Sequence, residues 1–251
     1  MLTGFGWALK DHWFPADMSA LPKASETAPV AGGGWIDKNE LFVTALGDSL
    51  TKGTGDATGK GYVTRVIEGL AETADKPVRL VNNLAVNGMR ADELTNHLDE
   101  KGFVNAIAKA DIVLLTIGGN DLFQIARNGG SMAEGGDLSP EALRERLPEI
   151  KPRLKAAFDK IRRANPHARI VYTALYNAFY DIPAIKGTVG EVVAEWNDYA
   201  YRLALADGNA TVVPTYDLFE VRLAEYLSSD HFHPNAAGYE RMADRIVEAI
   251  R

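Results

Sequence analysis

The chain has 251 residues, 46% of them hydrophobic and 24% charged, with a formal net charge of −7 and no cysteine. That is enough apolar material for a sizeable core in one α/β domain or two small ones. The acidic balance argues against a nucleic-acid partner, because phosphate binding needs clustered Lys and Arg. The missing thiols exclude a disulfide framework, a cysteine nucleophile and thiolate metal sites.

Met1 to Asp17 has neither the basic start nor the long apolar centre of an intact signal peptide. No apolar run approaches the roughly 18 residues that span a bilayer. Residues 20–35 (ALPKASETAPVAGGGW) are rich in Ala, Pro, Ser and Gly. Residues 1–38 therefore read as an irregular leader or linker, and 39–251 as the compact domain. Leu41–Leu46 (LFVTAL) is a short β-rich run, followed by a Gly-rich loop and a helical stretch over Tyr62–Thr73. Val78–Leu84 is a second strand. Ile112–Ile117 (IVLLTI) is a third and the most continuously apolar, as a strand covered on both faces should be. A long helix is predicted over Glu141–Ala164, with Pro148 and Pro152 bending or interrupting its start. Ala168–Leu175 is a fourth strand, Val189–Asp207 a helix and Thr211–Pro214 a fifth strand. The last segment, Asn235–Arg251, repeats Ala236, Tyr239, Met242, Ala243, Ile246 and Ile250 at helical spacing. Strands separated by helices imply βαβ crossovers and a parallel sheet wrapped on both faces. In such sheets ligands bind at the carboxyl ends of the strands.

Polar, glycine-containing segments occupy those ends: Gly47-Asp48-Ser49-Leu50 after the first strand, Asn87-Gly88 after the second, and Gly118-Gly119-Asn120-Asp121 after the third. Asp230-His231-Phe232-His233-Pro234 precedes the last helix. One reaction suits them. A serine hydroxyl is a weak nucleophile that needs a base, and the base needs an orienting carboxylate. A turn spacing Asp230 and His233 three apart lets one imidazole nitrogen meet the carboxylate while the other faces Ser49. The tetrahedral intermediate needs oxyanion donors, which the Ser49 N–H, the Gly88 N–H and the Asn120 amide can supply.

On these four blocks, in order, the sequence resembles the GDSL esterases and lipases, or SGNH hydrolases, over about residues 41–250. The surroundings ALGDSLTKGTG, GKGY and TIGGND look most like bacterial extracytoplasmic lipase/acylhydrolase members. The resemblance implies a flavodoxin-like, three-layer α/β/α fold with a five-stranded, mostly parallel sheet. It implies nucleophile Ser49, base His233, acid Asp230 and oxyanion donors at Ser49, Gly88 and Asn120. No metal or cofactor is implied, and the partner is a small or lipid-like ester. Location stays open between the cytoplasm and an extracytoplasmic place, as does oligomeric state. Acyl-ester hydrolysis stands beside two alternatives: an O-acetyl esterase for carbohydrate or cell-wall material, and a non-catalytic binding domain with the same fold.

Plainer readings accompany these residues. Ser49 can serve as a helix or turn cap, Asp48 as a loop hydrogen-bonding residue, Asn120 as a turn residue, and Asp121 as a structural one. His231 competes with His233, but sits one residue from Asp230, a poorer geometry for the pair. A metal on His231 and His233 would need a third protein ligand, and none is evident. His12 in the leader, His97 in a polar helix and His167 in a turn after Asn165-Pro166 read as solvated. Gly53–Gly61 fails the phosphate-loop pattern at Thr54 and Gly61 and reads as a flexible loop beside the site. Thr51 breaks the G-x-S-x-G pattern. Apolar residues of Tyr176–Ile185 and Leu122–Ile125 are candidates for an acyl site or for ordinary core.

Overall fold

A computed structural model describes residues 37–123 and 139–251, all within the compact unit Ala31–Arg251. The expected leader lies outside the described residues except for Asp37 and Lys38. Five strands form one sheet in the order β2-β1-β3-β4-β5. They are β1 Leu41–Gly47, β2 Val78–Asn83, β3 Ile112–Thr116, β4 Arg169–Thr173 and β5 Ala210–Val213. Every neighbouring pair is parallel, so the sheet expected to be mostly parallel is parallel throughout. β3 is buried along its whole length, as its unbroken apolar run requires. β2 lies at an edge and is largely exposed.

The chain runs from β1 outward to β2, then returns past β1 to β3. The strand order therefore reverses between β1 and β3, a switch point at which the following loops diverge and leave a crevice. Gly47 is in register with Thr116, and the Asp48 N–H donates to the Thr116 carbonyl at 3.2 Å. The segments after these two strands thus leave the sheet side by side.

Among the described residues the helices are α1 Ser49–Lys52, α2 Gly61–Ala74, α3 Ala91–His97, α4 Lys101–Ala108, α5 Gly119–Phe123, α6 Pro140–Ala164, α7 Lys186–Asp207, α8 Tyr216–Tyr226 and α9 Ala236–Ile250. α9 packs on α2 and α8, whereas α6 packs on α3, α4, α5 and α7. These two groups flank the sheet and complete the α/β/α arrangement. None of the described helices is long and apolar enough to cross a membrane.

Of the bend or interruption expected at Pro148 and Pro152, the interruption does not occur: α6 runs unbroken through both. Each proline removes one backbone donor, which in a free helix would break or kink it. Here Leu143, Leu147, Ile150, Leu154, Phe158 and Ile161 form a fully buried stripe at three- and four-residue spacing. Their packing offsets two missing hydrogen bonds. Ser139 caps the start, accepting from the Ala142 N–H at 3.3 Å, and Pro140 occupies the first turn, where a missing N–H costs nothing.

The turn after β3 is held from beneath. Trp196 of α7 donates to the Tyr172 hydroxyl, which donates to the Ile117 carbonyl, both at 2.7 Å. Gly118 has φ +113°, and a Cβ there would lie 2.3 Å from Trp196 Cζ2. Gly118→Ala combines left-handed strain with a clash against an immobile indole. It is expected to lower unfolding free energy by roughly 2–5 kcal/mol, measured by urea denaturation.

Candidate active site

Ser49 is the first residue of α1. Asp48 caps that helix, its carboxylate accepting from the Leu50 N–H at 3.1 Å. The cap places Ser49 in the first turn, where helix N–H groups lack intrahelical acceptors. The Ser49 Oγ lies 2.7 Å from His233 Nε2, and His233 Nδ1 lies 2.7 Å from Asp230 Oδ2. Hydroxyl, imidazole and carboxylate are therefore in one unbroken chain.

The loop carrying the latter two is closed on itself. Leu227 and Pro234 form an antiparallel bridge, and the Ser228 N–H donates to the His233 carbonyl at 2.8 Å. The other Asp230 oxygen, Oδ1, accepts from the Ser228 hydroxyl and from the N–H groups of Phe232 and His233. Partial burial pushes the Asp230 carboxyl up. The hydrogen bonds from the His233 ring, the two N–H groups and Ser228 outweigh it and bring the group to about 2. His231 takes φ +55° and is exposed. Its backbone makes the turn that brings His233 round to Ser49. Among the described residues no three candidate ligands gather as a metal site.

Of the residues expected to donate to an oxyanion, Asn120 lies beside Ser49, and Gly88, at φ +78°, precedes the segment that Asn120 holds. The Asn120 side-chain amide donates one hydrogen to the Met89 carbonyl at 3.0 Å, and Asn120 also lines the cleft beside Ser49. Its neighbour Asp121 accepts from the Ala91 N–H at 2.9 Å. Together they grip the segment directly after Gly88. Burial raises Asp121 to about 6, only partly countered by the Ala91 N–H and the nearby Arg153 and Arg90. Asp48 is buried too, and desolvation lifts it to about 7 against the Thr116 hydroxyl and the Leu50 N–H. The Thr116 hydroxyl contacts Thr51, which contacts Tyr62, so a buried line of hydroxyls ends on Asp48.

Beside Ser49 lies a small, partly open cleft lined by Leu50, Phe123, Leu175, Tyr176, Ala178 and Phe232. Tyr176 stacks on Phe219 at 3.9 Å between centroids and donates to the Phe232 carbonyl at 2.6 Å. Phe123 meets Phe232 edge-on at 6.3 Å. The two segments expected to serve either acyl site or core divide between those roles. Tyr176, Ala178 and Phe123 face the cleft, Leu122 and Phe179 are buried core, and Ile125 lies outside the described residues. Phe232 escaped sequence reasoning, although its place between Asp230 and His233 tied it to the site.

The Gly53–Gly61 loop, read as flexible, is instead tightly bonded. The Asp56 carboxylate accepts from the Thr58 N–H and hydroxyl, the Gly61 N–H and Arg65. Four glycines suggested freedom; one buried carboxylate removes it.

A parallel sheet with an apolar cleft and a serine–imidazole–carboxylate chain at its switch point is the architecture of a hydrolase with a three-layer α/β/α fold. The chain belongs to the GDSL-like lipase/acylhydrolase family, whose pattern matches residues 45–241. It is 35% identical over 218 residues to the uncharacterized protein YpmR of Bacillus subtilis, spanning 85% of this chain and 83% of that one. Over 211 residues it is 28% identical to the spore germination lipase LipC of Bacillus licheniformis, covering 83% and 96%. Among solved structures, the lipase Lip_vut3 from a goat rumen metagenome is 28% identical with a TM-score of 0.71, over 83% of this chain and 97% of that one. The chain is thus a carboxylic ester hydrolase of the GDSL type.

Proposed function

We propose that the chain hydrolyses short- to medium-chain carboxylic esters through an acyl-enzyme on Ser49. The observation that carries this reading is the connected pair of 2.7 Å contacts, Ser49 to His233 and His233 to Asp230, at the mouth of an apolar cleft. His233 Nε2 takes the Ser49 proton as Oγ attacks the ester carbonyl. The carbonyl oxygen becomes an oxyanion held by the N–H groups of Ser49 and Gly88 and the second amide hydrogen of Asn120. The C–O bond to the alcohol breaks, and the alcohol leaves with the proton from His233. Water, deprotonated by the same imidazole, then releases the acid and restores Ser49.

Labelling by a fluorophosphonate, located by mass spectrometry, tests the nucleophile: modification at Ser49 is expected, and none at any pH would favour a binding domain. Nitrophenyl acetate, butyrate, octanoate and palmitate test the acyl range. The confined aromatic cleft favours the acetate-to-octanoate members, and a maximum at palmitate would overturn that range. Acetate release from acetylated glycan outpacing all of these esters would replace acyl-ester hydrolysis with deacetylation. Asn120→Ala removes one donor while sparing the relay, so kcat should fall by about 10²- to 10³-fold with little change in KM.

A further inference from the structure

We propose that the turn Gly53–Gly61 is a rigid buttress that sets the distance between Ser49 and His233, with Asp56 and Arg65 as the positioning residues that lock it. The inference rests on the proposed Ser49–His233 relay and concerns residues outside it.

The turn touches three of the four segments that meet at the site. Its Gly53 and Thr54 N–H groups both donate to the Ser49 carbonyl, at 3.1 and 3.0 Å. The Thr54 hydroxyl donates to the Asn87 side chain at 3.0 Å. The Thr54 carbonyl accepts from Tyr239 of α9 at 2.7 Å. Gly55, at φ +93°, lies flat against the histidine loop: a Cβ there would sit 2.6 Å from the Pro234 carbonyl oxygen, 2.9 Å from His233 Cβ and 3.1 Å from Ser228 Oγ. One dipeptide, Thr54-Gly55, is bonded to the serine segment and packed on the histidine side chain.

A glycine-rich turn could not hold such a register alone, since glycine loses the most conformational freedom on ordering. Asp56 supplies the constraint. Its side chain is fully buried and paired with Arg65 at 2.6 Å, and its oxygens accept from Thr58 twice and from Gly61. Burial pushes this carboxyl up, but the bonds from Thr58, Arg65 and Gly61 bring it to about 2, so the lock stays charged across the working pH range. Arg65 also donates to the Gly61 carbonyl at 2.7 Å, tying the end of the turn to the first turn of α2. Neither residue reaches the cleft, so any effect on turnover must pass through Gly55 and Thr54.

The test uses the full chain carrying Asp56→Asn, Arg65→Met, Arg65→Lys or Gly55→Ala. Its readouts are the fluorophosphonate labelling rate of Ser49, kcat and KM on nitrophenyl butyrate, and the melting temperature, with assays well below melting. Misplacement of the base predicts a loss of about 10- to 100-fold in both kcat and labelling rate for Asp56→Asn and Arg65→Met. KM should stay within about twofold, because the cleft is untouched. Arg65→Lys should recover much of the labelling rate that Arg65→Met loses. Gly55→Ala leaves the lock intact and pushes on His233 directly. It should show the same split between kcat and KM, and it decides the matter if Asp56→Asn does not fold. Folded variants that melt earlier yet label Ser49 at the wild-type rate would overturn the buttress and leave the serine mechanism standing. A wild-type chain that is not labelled at all would overturn both.

Discussion

Ser49→Ala is expected to lower kcat/KM for ester hydrolysis by about 10⁴- to 10⁶-fold while the melting temperature stays close to that of the parent. The large effect follows from the oxygen's place in the relay: no other hydroxyl contacts His233 Nε2 in the described structure. The small structural effect follows from what the substitution leaves behind. Ser49 holds the first position of α1, its cap comes from Asp48 rather than from itself, and alanine is a good helix former. Residual turnover from donors and binding alone should resemble a weakly assisted background reaction. Turnover within tenfold of the parent would eliminate a serine mechanism.

Asp230→Asn should cost nearly as much, about 10³- to 10⁴-fold in kcat, through a change of one proton's address. Asp230 Oδ1 is surrounded by three donors, Ser228 Oγ and the N–H groups of Phe232 and His233. An asparagine there will keep its carbonyl toward those donors and turn its NH₂ to His233 Nδ1. That nitrogen must then accept, so the imidazole proton moves to Nε2, where it blocks uptake of the serine proton. Because the loop's bonds to Oδ1 survive, folding should change little. The parent carboxyl falls from 3.8 to about 2 on folding. Its contribution to stability is therefore present above about pH 4 and lost as pH falls through 2. Protonation of Asp230 should thus leave no mark on the rate profile at pH 5 or above. A wild-type acid limb shared unchanged by Asp230→Asn, with kcat within tenfold, would show that the histidine is oriented by other groups.

How much of this was visible beforehand depended on where the constraint lay. β3 was legible because burial on both faces forces an unbroken apolar run, and α9 because one buried face repeats Tyr239, Met242, Ala243, Ile246 and Ile250. Of the helices of seven or more residues, three were anticipated only in part or not at all, for separate reasons. α3, expected only as a polar helix about His97, is seven residues long. α4 is eight residues long and contains Gly102. α8 starts two residues after β5 and is kinked at Arg222. Their helicity comes from packing and from partners such as the Glu93 carboxylate, which accepts from the Arg90 N–H, rather than from a periodic stripe. The prolines of α6 do not break it, since a buried stripe overrules the local loss of two donors.

Of the site, the sequence displays the groups and hides their supports. Ser49, Gly88, Asn120, Asp230 and His233, the residues proposed for the chemistry, stand in recognisable strings. The Tyr176 bond to Phe232, the Asn120 bond to Met89 and the contact of Gly55 with His233 join residues far apart in the chain. Nothing local distinguishes them. Gly53, Gly55, Gly59 and Gly61 suggested mobility by composition, whereas the neighbour that stiffens the turn, Asp56, looks like any surface acid until its burial is known.

The hydroxyl and the imidazole that meet at 2.7 Å are separated by 184 positions along the polypeptide. A nascent chain emerging from the ribosome therefore carries an idle serine until residue 233 has been made and its loop has docked beside α9. On the proposed relay, hydrolytic competence is switched on late in synthesis. By the same topology, undocking of that one loop would silence the enzyme while the sheet remained intact. During gradual denaturation, activity should therefore vanish ahead of the circular-dichroism signal.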